Sequence, residues 1–97
     1  MKIVVLVDAE ILEGLQPEER SNLIERVRSF LLDESCEPIG AVERTRNGRR
    51  TWLAVYDESQ VSPALTDSAC AALNVDLSWC GVEVVRTDDP DAYVRTP

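Results

Sequence analysis

The first apolar segment of the chain is a short, uninterrupted aliphatic run. Residues 3–7 are all aliphatic, and Asp8 follows them at once. Such a run is typical of a β-strand buried on both faces, and it is too short for a signal peptide or a membrane span. We therefore predict a central first strand, followed by a loop over residues 8–16.

Two later segments have the spacing and the boundary residues of helices. Pro17 begins the first, whose apolar positions recur every three or four residues toward an expected end near Asp33. The second is predicted to begin at Ser62-Pro63, with the serine as N-cap, and to end near Asn74. Its predicted buried stripe consists of Leu65, Ala69, Ala72 and Leu73.

Asn47-Gly48 is a hairpin signal between two runs rich in strand-forming residues. Both residues tolerate positive φ, as a two-residue turn requires. Such a turn fixes the register, and the pairs on one face are Arg46–Arg49, Arg44–Thr51, Val42–Leu53 and Gly40–Val55. The pairs on the other face are Thr45–Arg50, Glu43–Trp52, Ala41–Ala54 and Ile39–Tyr56.

A last strand over residues 79–86 completes the order β-α-β-β-α-β. This order predicts an α+β fold of the ferredoxin-like βαββαβ type, an antiparallel four-stranded sheet with two helices on one face. We expect one compact domain over residues 1–86 and an acidic C-terminal tail over residues 87–97.

Helices on one side leave the other sheet face uncovered. An uncovered apolar face is typical of a surface that binds a partner. We assign the aliphatic set with Val42, Leu53 and Val55 to the helix side, which places Trp52 and Tyr56 on the open side. Four alternatives follow for that side: self-association, another protein, stacking of RNA bases, or a tail that folds back with Tyr93 and Val94.

Composition narrows these alternatives. The 97 residues include no histidine, which excludes the usual serine or cysteine triad and histidine-bound zinc. A net charge of −8 opposes the binding of nucleic acid, and the first strand offers no aromatic ring on which a base could stack. Three cysteines without a CxxC pair indicate reduced thiols that fill the core of a cytoplasmic protein; a reactive Cys36 is the alternative.

Charge is unevenly distributed along the chain. Arg44, Arg46, Arg49 and Arg50 carry +4 at the hairpin tip, so the remainder carries −12. The tip is either neutralised by nearby acids or acts as a prong for a carboxylate-rich or phosphate-bearing partner. Acidic clusters follow the first strand, where they include Asp8, and lie near Asp57 and Asp88. We expect no cofactor, with Asp8 as the one candidate metal ligand.

The opening residues 1–8, ending in Asp8, resemble the first strand of Cas2-type proteins. Those proteins are ferredoxin-like dimers of similar length, and paired aspartates at their dimer interface are implicated in metal binding. The resemblance implies a metal-dependent nuclease with Asp8 as the metal ligand. It covers eight residues that suit any ferredoxin-like first strand, and the acidity of the chain departs from the pattern.

The sequence favours a small, acidic, non-catalytic interaction module that binds another protein. The module acts as a homodimer, an inhibitor or a mimic of nucleic acid, and it does not enter a membrane. A metal-dependent nuclease and a small-ligand regulatory domain remain alternatives. The predicted partner-binding residues are Arg44, Arg46, Arg49, Arg50, Trp52 and Tyr56.

Overall fold

Four strands and four helices make up the fold in the computed structural model, which describes residues 1–32, 35–40 and 42–94. The strands are β1 (Lys2–Asp8), β2 (Val42–Arg46), β3 (Arg49–Asp57) and β4 (Val82–Thr87). The helices are α1 (Ala9–Gly14), α2 (Pro17–Arg28), α3 (Asp67–Asp76) and α4 (Asp91–Val94), with 3₁₀ turns at Glu58–Gln60 and Ser78–Cys80. The class is α+β, and the strands form an open antiparallel sheet in the order β2-β3-β1-β4.

β1 is the buried centre of this sheet. It pairs with β3 on one side and β4 on the other, and its residues 3–7 are each at most 2% exposed. The central first strand is therefore confirmed. A strand with partners on both edges and side chains covered on both faces needs apolar residues at every position.

The β2–β3 hairpin follows the predicted register from Val42 to Arg46. Asn47 and Gly48 have φ of 53° and 77°, as a two-residue turn of this kind requires. Ala41 lies outside the described residues, and the predicted pairs of Gly40 and Ile39 with β3 are not part of the described ladder. The Asn47-Gly48 turn thus predicts the pairing correctly from Val42 to Arg46, close to the turn, and not for Ile39 and Gly40 farther from it.

The segment after β1 is a helix, so the predicted loop over residues 8–16 is wrong. Asp8 acts as its N-cap, because the carboxylate accepts a hydrogen bond from the Ile11 N–H at 3.1 Å. α2 begins at Pro17 as predicted but ends at Arg28, before Asp33, which lies outside the described residues. Ser29 N–H still bonds to the Glu25 carbonyl, and the chain then turns away.

The start predicted for the second long helix at Ser62-Pro63 is also wrong. Ser62 N–H bonds to the Phe30 carbonyl at 2.8 Å, next to the bridge between Leu31 and Val61, which holds this segment beside the end of α2. Thr66 is the actual N-cap, and its hydroxyl accepts from Ala69 N–H at 3.2 Å. Cys70 is the buried residue of α3, whereas Ala72, predicted to be buried, is exposed.

Asn74 does not cap α3 as predicted. Its side chain accepts from the Val84 N–H at 2.6 Å and donates to the Val84 carbonyl at 3.0 Å. The predicted last strand began too early, since Trp79 lies in the 3₁₀ turn Ser78–Cys80, and Gly81 follows as its C-cap. Gly81 has φ of 69°, and a side chain there would meet Asp8 and Ile11, so only glycine fits.

The two faces of the sheet are covered differently, and the predicted assignment of faces is wrong. Leu23 and Val27 of α2 and Cys70 of α3 pack in one cluster with Tyr56, which is 5% exposed. Trp52 is half-buried against the same cluster. The aromatic side of β3 therefore faces the helices, because its large rings fill the space beneath them and the Tyr56 hydroxyl donates to the Glu37 carbonyl.

Candidate functional site: the open face of the sheet

We define the open face as the side of the sheet opposite α2 and α3. The strand pairing places two rows of aliphatic side chains across it, Val85–Val4–Val55 and Leu6–Leu53–Val42. Val4 and Leu6 are buried, but Val42 and Val55 remain 44% and 42% exposed. Uncovered apolar surface is thus concentrated on the β2–β3 side of this face.

Tyr93 of α4 covers part of the open face. Its ring packs against the cluster of Val4, Leu6 and Leu53, so the alternative of a tail that folds back is confirmed for this residue. The Val94 side chain lies outside the described residues. α4 has only four residues, and a helix this short has no stability of its own in water. Among the described side chains, Tyr93 is therefore the one that holds this cover against the sheet.

Arg46 connects this cover to the strands below it. Its guanidinium carbon lies 5.8 Å from the centre of the Tyr93 ring, a cation–π distance. The same guanidinium forms an ion pair with Glu83 at 2.7 Å, although β2 and β4 are the two outer strands of the sheet. Arg46 thus reaches across β3 and β1, above a cleft of about 360 Å³ that Asp8 and Arg49 also line.

Two further hairpin arginines are paired with acids of β1, α1 and β2. Arg50 forms ion pairs with Glu13 at 2.9 Å and with Glu43 at 2.6 Å, and these hydrogen bonds raise its pKa. Arg49 pairs with Asp8, and with Glu10 at 3.5 Å. The expectation that nearby acids neutralise the tip is therefore met at Arg46, Arg49 and Arg50, while their predicted binding of a partner stays a prediction.

Asp8 is the most constrained carboxylate of this cleft. The hydrogen bond from Arg49 holds the pKa of Asp8 below its usual range, and the bond from Ile11 N–H acts in the same direction. The described part of the chain contains no group of three or more acidic or cysteine side chains arranged to hold a metal ion. Asp8 is thus occupied as an ion-pair partner and helix cap, and its role as a metal ligand stays a prediction.

Arg44 differs from the other hairpin arginines. Its guanidinium donates a hydrogen bond to the Glu43 carbonyl at 2.9 Å, and it forms no ion pair with an acid among the described residues. Arg44 lies opposite Thr51, on the same face as Val42 and Leu53. An exposed cation that pairs with no described acid therefore lies beside the exposed valines of the open face.

Trp52 and Tyr56, the aromatic pair predicted to bind a partner from the open face, lie on the helix side instead. Tyr56 is buried there, and this burial raises its pKa to about 12. Trp79 is the exposed tryptophan, with 55% of its surface accessible, and Val75 one turn before it is also exposed. Sequence reasoning missed this pair because it placed Trp79 in the last strand; the glycine two residues later was the available signal.

The thiols follow the predicted core-filling pattern. All three cysteines are free; Cys70 and Cys80 are buried, and burial raises the pKa of both. Cys36 is half-buried against the main core, where Gln60 donates to its sulfur at 3.4 Å. Cys36 does lie in a loop, between the exposed Ser35 and Glu37, but its own side chain is half-buried and not exposed as a reactive thiol was expected to be.

Comparison of the chain with protein-family models, with curated proteins and with solved structures found no match in any of the three. Among the helices of the described residues, none combines the length and the hydrophobicity needed to cross a lipid bilayer.

Proposed function

We propose that this chain is a non-catalytic protein-binding module of the cytoplasm and that its open face is the binding surface. The observation that carries the proposal is the exposure of Val42 and Val55, 44% and 42%, beside a cluster that is otherwise buried. Apolar side chains next to one another on a sheet face lose water when a partner covers them, and this is the main favourable term in association.

The proposed fold is ferredoxin-like, elaborated by two short helices. The strand order β2-β3-β1-β4, with β1 and β3 at the centre, supports this proposal. The packing of α2 and α3 in one cluster with Tyr56 supports it as well, since both helices then lie on the same face. The additions are α1, directly after β1, and α4, on the open face.

The non-catalytic part of the proposal is supported by chemistry. The sequence contains no histidine to act as a general base. Asp8, the candidate metal ligand, is engaged by Arg49 and by a helix N-terminus. The nuclease and small-ligand alternatives lack an observation that favours them, and they remain predictions.

A photo-crosslinking residue tests the proposal at the surface itself. A benzophenone side chain in place of Val55, in the full chain expressed in its native cell, should form protein adducts upon illumination. The matched control carries the same group at Arg28, an exposed residue at the end of α2 on the other side of the sheet. Adducts that form at position 55 and not at 28 are expected; equal adducts at both positions, or none at 55, contradict the proposal.

A further inference from the structure

Charge changes sign along the exposed strip of the open face. Alternate residues of β3 share this face, so the order along it is Thr51, Leu53, Val55 and Asp57. Arg44 lies opposite Thr51, at one end, and Asp57 lies at the other. Between these two charges lie the exposed valines of β2 and β3.

The separation of the charges matches the length of the strip. Six residues of an extended strand span about 20 Å, so Arg44 and Asp57 are far too distant to pair within one chain. Asp57 is paired instead with Lys2, in a contact that leaves the two side chains 56% and 45% exposed. An exposed pair of this kind is weak. The Asp57 carboxylate also accepts from the Gln60 backbone in the capping box of the 3₁₀ turn, and its remaining lone pairs can accept from a second cation.

We propose that the open face is the contact surface of a symmetric homodimer. A two-fold axis through the middle of the strip places Arg44 of each copy against Asp57 of the other, with Val42 and Val55 of both copies between the two pairs. In a two-fold interface every contact between two different residues occurs twice, once in each direction. A strip with a cation at one end and an anion at the other can therefore pair with a second, inverted copy of itself. The inference rests on the proposed function of this face and names its partner.

The size of the strip sets the strength of the dimer. Even the whole open face, with four strands about 4.8 Å apart and about 20 Å long, gives a flat area well below the roughly 800 Å² per partner of a stable complex. The Tyr93 ring adds to the area buried in the dimer only if it contacts the second copy. We therefore expect a reversible dimer that dissociates on dilution through the micromolar range.

Reversal and exchange of the two charges test the inference. Sedimentation equilibrium of the full chain over a micromolar-to-millimolar series should show dimers. Arg44→Asp and Asp57→Arg should each weaken dimerisation about tenfold or more, because each creates two like-charge contacts. The combination of both changes should restore it. Arg28→Asp makes the same change of charge away from the strip and should leave it unaltered.

A second variant keeps the test independent of the charged pair. Val42→Lys replaces an exposed valine, so the fold should persist by circular dichroism while the dimer is lost. A wild-type chain that stays monomeric throughout, or a double exchange that restores nothing, overturns the inference. Adducts at position 55 that contain only a different protein leave the proposed function standing and remove the homodimer. Absence of any adduct there removes the proposed function itself.

Discussion

The two sides of β1 are equally buried but differently covered. Ile3, Val5 and Val7 lie beneath helices α2 and α3, which contribute many side chains to one large cluster. Val4 and Leu6 cluster with Leu53, which lies beside them in the sheet, and among the described apolar side chains the Tyr93 ring packs over them. Low exposure alone therefore does not distinguish a permanent core from a surface with a light cover.

The difference predicts unequal local stability. α2 has twelve residues, a capping box at Gln16–Glu19 and two buried apolar residues facing the sheet. α4 has four residues, and Tyr93 is its described contact with the sheet. Segments with few buried contacts open locally at a small fraction of the global unfolding free energy. The open face is thus the side on which exposure can change while the fold stays intact.

The largest expected effect lies on the helix side. Leu23→Ala removes a side chain that is 1% exposed and should lower the free energy of unfolding by about 3 kcal/mol, because the cavity cannot fill. Val55→Ala on the open face should cost less than about 1 kcal/mol. Urea denaturation of both variants measures the difference, and equal losses would show that the two faces are packed alike.

The next effect appears in alkali and also belongs to the helix side. The raised pKa of Tyr56, about 12 because of burial, means that its neutral form is favoured in the folded state. The stabilisation is complete below the unfolded pKa of about 10 and is lost as pH rises from about 10 to 12. Tyr56→Phe should flatten this alkaline loss in thermal unfolding; an unchanged profile would contradict the burial of the hydroxyl.

A smaller effect is expected where the cover meets the open face. Tyr93→Ala removes the ring from Val4, Leu6 and Leu53 and from Arg46, and should cost about 1 kcal/mol. Tyr93→Phe keeps the ring and should cost less. Binding of a fluorescent hydrophobic dye should rise in the alanine variant only. A loss as large as that of Leu23→Ala would mean that α4 is part of the permanent core.

The smallest effect concerns the cleft at the hairpin end. Asp8→Asn keeps a side chain that can cap α1 but removes the charge that Arg49 contacts. Because the pKa of Asp8 is lowered, its stabilisation is present above the unfolded pKa of about 3.9 and is lost as pH falls below it. The variant should therefore be slightly less stable at pH 7, and the difference should vanish in acid. A difference that persists at low pH would assign the effect to the cap.

Local sequence signals predicted where the strands lie better than they predicted which face of the sheet the helices cover. The aliphatic run of β1 and the Asn47-Gly48 turn each specify structure within a few residues, and both predictions held. β3 is apolar on both sides, so its two-residue period cannot say which side meets the helices. Which side meets the helices depends on how Tyr56 packs beneath α2 and α3. Those helices are distant from β3 in sequence, so the residues around Tyr56 do not indicate this packing.

The errors around the helices have similar causes. Acidic residues and Gly14 after β1 indicated a loop, although Asp8 serves as the N-cap of α1. Ser62-Pro63 has the pattern of a helix start, but a backbone bond from Ser62 to Phe30 takes precedence. The site residues were partly predictable: the register places Arg44 opposite Thr51 and Val42 opposite Leu53, but Val42 was assigned to the helix side and is exposed on the open face instead. The pairing of Arg50 with Glu13 depends on where α1 lies, which the register does not determine.

The two hydrogen bonds between Asn74 and Val84 have a consequence for aggregation. β4 is an outer strand, and its unpaired backbone groups would otherwise accept a strand from another molecule. Asn74 occupies both backbone groups of Val84 in the middle of that strand, as a neighbouring strand would. Endless growth of a fibre by edge pairing requires two available edges on each molecule. Because Asn74 blocks the centre of β4, two molecules could pair through their β2 edges, but no third molecule could be added at β4. This protects a protein with exposed apolar side chains on its open face against fibre growth.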